Sequence, residues 1–185
     1  MEIEDLLTKI ADILKDLKIP YIITGGIAVS VWGRPRYTAD IDIVVEMIPR
    51  NINPFAKKLL TVDKDVYILE EAMQKALENK GEFNFIHPQS GLKVDFWVVG
   101  DNFEKQKIKR GIYKKIDDKK VCFSSPEDLI LSKLRWYKIS PSDRHIDDIK
   151  SVLKISAKIL DRKYLKKWIK RLELEEIIKE KDINI

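Results

Sequence analysis

Apolar positions recur at three- and four-residue spacing from the start of the chain, where Ile3, Leu6, Leu7, Ile10, Ile13, Leu14 and Leu17 share one face of a helix expected over residues 2–18. The period then shortens. Tyr21, Ile22 and Ile23 follow Pro20 as a buried strand would, Gly25-Gly26 interrupt, and the apolar run from Ile27 to Trp32 reads as a helix opened by the glycines. A second strand starts at Asp40 and carries Ile41, Ile43, Val44 and Val45. Beyond Pro49 the pattern predicts helices over 54–60 and 69–79, the latter closed by Gly81. Phe83 to His87 and Leu92 to Val99 form two apolar runs joined by Pro88-Gln89-Ser90-Gly91, a hairpin, with His87 as a turn residue. A helix over 102–110, ended by Gly111, leads to a second hairpin, 112–116 with 120–123, around Asp117-Asp118.

At Ser124 strands give way to helices. Ser125-Pro126-Glu127-Asp128 combines a capping serine, a proline at the first helical position and acids in the first turn. Leu129, Ile130, Leu134, Trp136 and Tyr137 fall on one face with Lys133 in its middle, while Asp128 and Arg135 fall opposite. The next helix is expected from Ser142-Asp143 to about Leu160. Its apolar face holds Ile146, Ile149, Val152, Leu153, Ile155, Ile159 and Leu160, with Asp148 turned inward and Asp147 outward. The last helix starts at Asp161. The pattern as a whole predicts an α/β (α+β) fold, a small mixed sheet flanked by helices in residues 1–124, with a helical C-terminal part, 125–185, packed on it.

Composition narrows the class. With 44% hydrophobic and 35% charged residues in 185, the chain has the make-up of a folded domain, not a disordered one. A single cysteine, Cys122, excludes a disulfide framework and suits a reducing compartment. The first residues are acidic and no apolar run reaches the length of a membrane span, so a cytoplasmic protein without a membrane partner is expected. The net charge of +5 favours a polyanionic partner, or else reflects the lysine- and glutamate-rich surface of a heat-adapted protein; both readings stand.

Candidate chemistry gathers in residues 21–46. Two adjacent glycines at a helix start let backbone N–H groups approach phosphate oxygens, although a plain tight turn uses the same residues. Asp40 and Asp42 lie on one face of their strand, where two neighbouring carboxylates repel unless a hard divalent cation such as Mg²⁺ neutralises them; a solvated strand end is the alternative. Arg34, Arg36 and Thr38, between the glycines and the acids, supply the groups that hold phosphate. Asp95 is the one acid in an otherwise apolar strand and needs a partner or a purpose. Lys133 on its apolar face either snorkels out or meets an anion. Asp148 either orients Lys133 or an arginine, or makes a buried structural ion pair. His87 and His145 have no cysteine or histidine at metal-ligand spacing, so no zinc site is expected. Lys163, Lys166, Lys167, Lys170 and Arg171 make a positive helix surface, fit for an RNA backbone or simply solvated.

Gly25-Gly26, Arg36-Tyr37-Thr38 and Asp40-Ile41-Asp42 together resemble the signature of the DNA polymerase β-type nucleotidyltransferase superfamily. The form Gly-Gly-x-Ala with Arg-x-Thr-x-Asp-x-Asp is similar to its AbiEii-toxin-like branch, and Arg144-His145-Ile146-Asp147-Asp148 resembles that branch's Arg-Asp-x-x-Asp, with His145 for the first Asp. The resemblance implies that residues 1–124 are a catalytic domain and that Asp40, Asp42 and Asp95 are catalytic and hold two Mg²⁺ ions. It implies a nucleoside triphosphate bound by Gly25, Gly26, Arg36, Thr38, Lys133 and Asp148. The implied reaction moves a nucleoside monophosphate to a hydroxyl of RNA, tRNA among the candidates, or of protein. A cognate antitoxin is a further implied partner, and a non-catalytic nucleotide- or RNA-binding module of the same fold is the alternative.

Overall fold

β1 (Tyr21–Ile23) and β2 (Asp40–Val45) lie at the middle of a six-stranded mixed sheet completed by β3 (Glu82–Ile86), β4 (Lys93–Val98), β5 (Ile112–Ile116) and β6 (Lys119–Phe123), in the order β3-β4-β2-β1-β6-β5. This is a computed structural model that describes residues 1–66 and 69–185. It divides into two compact units, one of Met1–Ile27 and Tyr37–Ser124, the other of Ala28–Arg36 and Ser125–Ile185.

The whole sheet belongs to the first unit. β1 pairs antiparallel with β2 and parallel with β6, β2 pairs parallel with β4, and the two hairpins, β3–β4 and β5–β6, are antiparallel. Alternation explains the burial: Ile41, Ile43 and Val45 are wholly buried while Asp40, at the start of the same strand, is exposed. α1 (Ile3–Asp16), α3 (Ile52–Leu59), α4 (Glu70–Asn79) and α5 (Asn102–Lys109) complete the unit, with a 3-10 turn over Pro49–Asn51 leading into α3. Phe55 of α3 meets Phe96 of β4 edge-on at 5.2 Å, and Phe83 of β3 stacks on Phe96 at 4.9 Å, so one aromatic cluster ties helix to sheet.

Two readings in this unit need correction. α4 is not closed by Gly81; the left-handed residue is Lys80 (φ 51°), and the Gly81 N–H reaches back to the Ala76 carbonyl. His87 is no simple turn residue, for it is 3% exposed. Its Nδ1 accepts from the Ser90 N–H at 3.2 Å, which leaves the ring proton on Nε2, 3.3 Å from an Asp63 carboxylate oxygen.

α2 (Gly25–Trp32) starts in the first unit and continues into the second. The second unit otherwise consists of α6 (Pro126–Ile139), α7 (Asp143–Ile155), α8 (Arg162–Arg171) and α9 (Glu175–Glu180). The Ser125 hydroxyl caps α6 by accepting from the Asp128 N–H at 3.1 Å, as the sequence predicts. The faces of α6 do not follow the simple wheel. Asp128, opposite the predicted apolar face, is nevertheless completely buried: the Ser125 hydroxyl donates to one oxygen at 2.8 Å and the Tyr164 hydroxyl of α8 to the other at 2.7 Å. Glu127 is buried too and accepts from the Asp161 N–H at 2.8 Å, so the start of α8 covers the first turn of α6. Trp136, expected in the core, is 41% exposed.

α7 ends at Ile155, short of the predicted Leu160, and leaves Ile155 and Ile159 exposed. The helix gives way at Ser156, where the Ile159 N–H turns back to the Ser156 carbonyl at 3.0 Å and the Ser156 hydroxyl donates to the Trp32 carbonyl at 2.6 Å. α8 is not the last helix, since α9 follows it; its six residues carry too short a period to announce themselves.

Candidate active site

The turn after β1 is built so that a carboxylate can press against bare backbone. Gly25 has φ +63°, the left-handed region, and a Cβ placed there would stand 1.8 Å from Asp42 Oδ2. A Cβ on Gly26 would stand 2.8 Å from Thr38 Oγ1. Gly25 is therefore required by its backbone and by the Asp42 side chain, whereas a side chain on Gly26 would have to push Thr38 aside. The Thr24 N–H donates to the Asp42 carbonyl at 2.9 Å, fixing β2 beside the turn, and the Thr38 hydroxyl donates to the Asp40 carbonyl at 3.3 Å.

The sheet register brings in the third acid. β2 and β4 run parallel with Asp42 opposite Asp95 and Asp40 opposite Lys93. Residues in register on neighbouring strands lie about 4.8 Å apart and point to the same face, so Asp40, Asp42 and Asp95 share one face at one end of the sheet. Asp95 is 8% exposed. Lys93 Nζ stands 2.7 Å from its Oδ1, an ion pair without aligned hydrogen-bond geometry, for that buried oxygen has no hydrogen-bond partner. The Lys93 ammonium is held protonated above its ordinary range by its contact with Asp95, against a smaller desolvation cost, and by the charge of Asp40.

Lys93 is the residue the sequence reading missed. Its signal was present, because a residue two before Asp95 on a strand must share its face. The donor set suits Mg²⁺: carboxylate oxygens, one of them buried and without a hydrogen bond, around a place where a cation already sits. The three carboxylates do not close on a common point as they stand, since among the described residues no group of three or more His, Cys, Asp or Glu side chains forms a metal-holding cluster.

The other predicted residues meet in the second unit. Arg36 clamps Asp148 with both edges of its guanidinium, Nε to Oδ1 at 2.8 Å and Nη2 to Oδ2 at 2.9 Å, and Lys133 Nζ reaches Oδ2 at 2.9 Å. Asp148 thus binds both partners the sequence offered it, and Lys133 does not snorkel. Burial pushes the Asp148 carboxyl up, but the hydrogen bond from Arg36 and the charge of Lys133 outweigh it and hold the group ionised below its usual range. His145 lies close by with its Nδ1 buried and without a hydrogen bond; burial first, then the Lys133 charge, keep its ring neutral below the ordinary range. Two cations, Arg36 and Lys133, thus face the one carboxylate of Asp148.

No protein-family model matches the chain, and no curated protein matches it. Solved structures do match. The solution structure of the antibiotic-resistance factor ANT(2'')-Ia superposes with a TM-score of 0.60 at 16% identity, over 94% of this chain and 94% of that one. The lincosamide antibiotic adenylyltransferase LnuA, solved with lincomycin bound, gives 0.55 at 16% identity over 84% of this chain and 98% of LnuA. An antigenic nucleotidyltransferase-like protein from Paracoccidioides brasiliensis gives 0.54 at 21% identity over 82% and 75% of the two chains. The chain has the mixed, helix-flanked sheet of these nucleotidyltransferase folds.

Proposed function

We propose, from that shared fold, that the chain is a nucleotidyltransferase whose active site is the Gly25-Gly26 turn with Asp40, Asp42 and Asp95. The observation that carries the reading is the parallel register setting Asp42 beside Asp95, with Asp42 packed on a glycine that tolerates no side chain. A structural role gives three acids no reason to share one face.

In this reading the N–H groups at the start of α2 receive the triphosphate of a nucleoside triphosphate, and Thr38 lines the turn. Asp95 takes the proton of an acceptor hydroxyl. The acceptor oxygen bonds to the α-phosphorus while the bond to the bridging oxygen breaks, and pyrophosphate leaves. Mg²⁺, held by Asp40, Asp42 and Asp95, would supply positive charge against the oxygens that become negative in this exchange. Arg36 and Lys133, with Asp148 orienting them, are assigned to the nucleotide's phosphates.

RNA is the acceptor favoured by the net charge of +5. The glycine pair and the Arg-x-Thr-x-Asp-x-Asp spacing support an AbiEii-like placement and, with it, a toxin–antitoxin setting. A second reading, a small-molecule hydroxyl as acceptor, is favoured by the fold likeness to an adenylyltransferase solved with lincomycin. The test is incubation with Mg²⁺ and each α-labelled nucleoside triphosphate beside separate pools of RNA, protein and hydroxyl-bearing antibiotics, with Asp42→Ala as control. Label is expected in one pool and absent with the variant. Label in no pool, or equal labelling by the variant, overturns the proposal.

A further inference from the structure

A cavity of about 710 Å³ opens at the other end of β1 from the glycine turn. Pro20 and Tyr21 at the start of β1, the last turns of α1 and α5, and the β5–β6 hairpin form it. From Tyr21 to Thr24 the chain covers about 10 Å at roughly 3.3 Å per residue, and because β2 runs antiparallel to β1, Asp42 lies opposite Thr24 at the far end of that span and Asp40 beyond it. The cavity is thus separate from the carboxylate site, although both belong to the first unit.

Its wall is charged on one side only. Lys15, Lys18, Lys109 and Lys120 line it, and no acidic side chain among its described lining residues offsets them. Lys15 and Lys109 stand at the C-terminal ends of α1 and α5, where they neutralise about half a unit of negative helix-end charge each. That leaves about three positive charges around one cavity. The hairpin adds to the excess, for Lys115 stands directly across the ladder from Lys120. Like charges in register destabilise a hairpin unless an anion comes between them. Tyr113, in register with Cys122 and on the same face as Lys115 and Lys120, is 65% exposed, with its ring at the cavity mouth. Ile19 and Ile108 give the interior an apolar wall.

An aromatic ring and an apolar wall beside unpaired-charge lysines, in a volume typical of small-ligand sites, describe the two halves of one ligand class. We propose that this cavity binds a nucleoside phosphate, its base against Tyr113 and its phosphate on Lys18 and Lys120, either as a free nucleotide or as one residue of an RNA strand. The binding is non-catalytic and independent of the carboxylates.

Amide spectra of the ¹⁵N-labelled full chain, titrated without Mg²⁺ with AMP, with a short single-stranded RNA and with inorganic phosphate, test this. Saturable shifts of the Gly111, Tyr113 and Cys122 amides are expected with AMP, or with RNA alone if the source is a strand. Lys18→Glu/Lys120→Glu should weaken them at least about tenfold, as loss of a charge-assisted contact does. Tyr113→Ala, which removes an exposed ring and no core, should weaken AMP or RNA while leaving the phosphate response unchanged. Amides that stay still at millimolar ligand, shifts that survive the double reversal, or equal affinity for inorganic phosphate and the nucleoside ligands would overturn the proposal.

Discussion

Gly25 and Lys93 show how single residues set the carboxylate site. Gly25→Ala forces a left-handed alanine, costing about 1–2 kcal/mol in backbone alone. Its methyl must also expel the Asp42 carboxylate, since the two would lie 1.8 Å apart. Displacing a reacting group by about 1 Å costs about 10²-fold in rate, so transfer should fall by that factor or more while circular dichroism keeps its native form; an active Gly25→Ala would remove Asp42 from the mechanism. Lys93 acts in the opposite sense: under the proposed mechanism its ammonium is the cation that Mg²⁺ would displace from Asp95. Lys93→Met should tighten Mg²⁺ binding about fivefold in calorimetric titration without nucleotide, the worth of a half-exposed ion pair near 1 kcal/mol. Equal or weaker binding would show that the ammonium does not occupy the metal's place. The glycines, Asp40 and Asp42 were legible in the sequence because their chemistry is local, all within one turn and one strand. Lys93 was not singled out because a lysine at a strand start looks like any solvated charge until the register sets it beside Asp40.

At the scale of elements, strands were easier to read than helix faces. A period of two leaves little room for error, and β1 to β6 lie where alternation and turn residues put them. A helix wheel reports one partner surface, whereas α6 also packs against α8 on the side opposite the wheel's apolar face; Asp128 is buried there by Tyr164, a residue 36 positions away. The inward placing of Asp148 and Lys133 on α7 and α6 was legible, since Lys133 interrupts an apolar stripe and Asp148 sits at the edge of one. That pairing predicts a pH response. His145 and Asp148 both have folded-state values below their ordinary ones, so the unfolded chain takes up protons first and stability is lost on acidification. The loss begins as pH falls through the ordinary histidine value, about 6.5, and resumes below the ordinary aspartate value, about 4, until Asp148 protonates in the folded state. Urea unfolding across pH 3–8 should show both steps, and His145→Gln should erase only the upper one. A flat profile from pH 8 to 5 would show that His145 is not held neutral.

For the whole molecule, the order of residues along the chain and the order in space differ. The chain leaves the first unit after Ile27, returns at Tyr37 and leaves again after Ser124. Among the described residues no helix is long and apolar enough to cross a membrane. Ala28, Val29 and Trp32 are buried, and two serines, Ser151 and Ser156, hold the 28–36 segment by its backbone, Ser151 accepting from the Arg34 N–H. A polypeptide cut after Ser124 therefore keeps this segment but loses the helices that hold it, and should aggregate when made alone. Supplied together as two pieces, 1–124 and 125–185 should associate and recover the spectrum of the intact chain, as a split protein does. The nine residues of 28–36 would then be the grip by which one fragment captures the other.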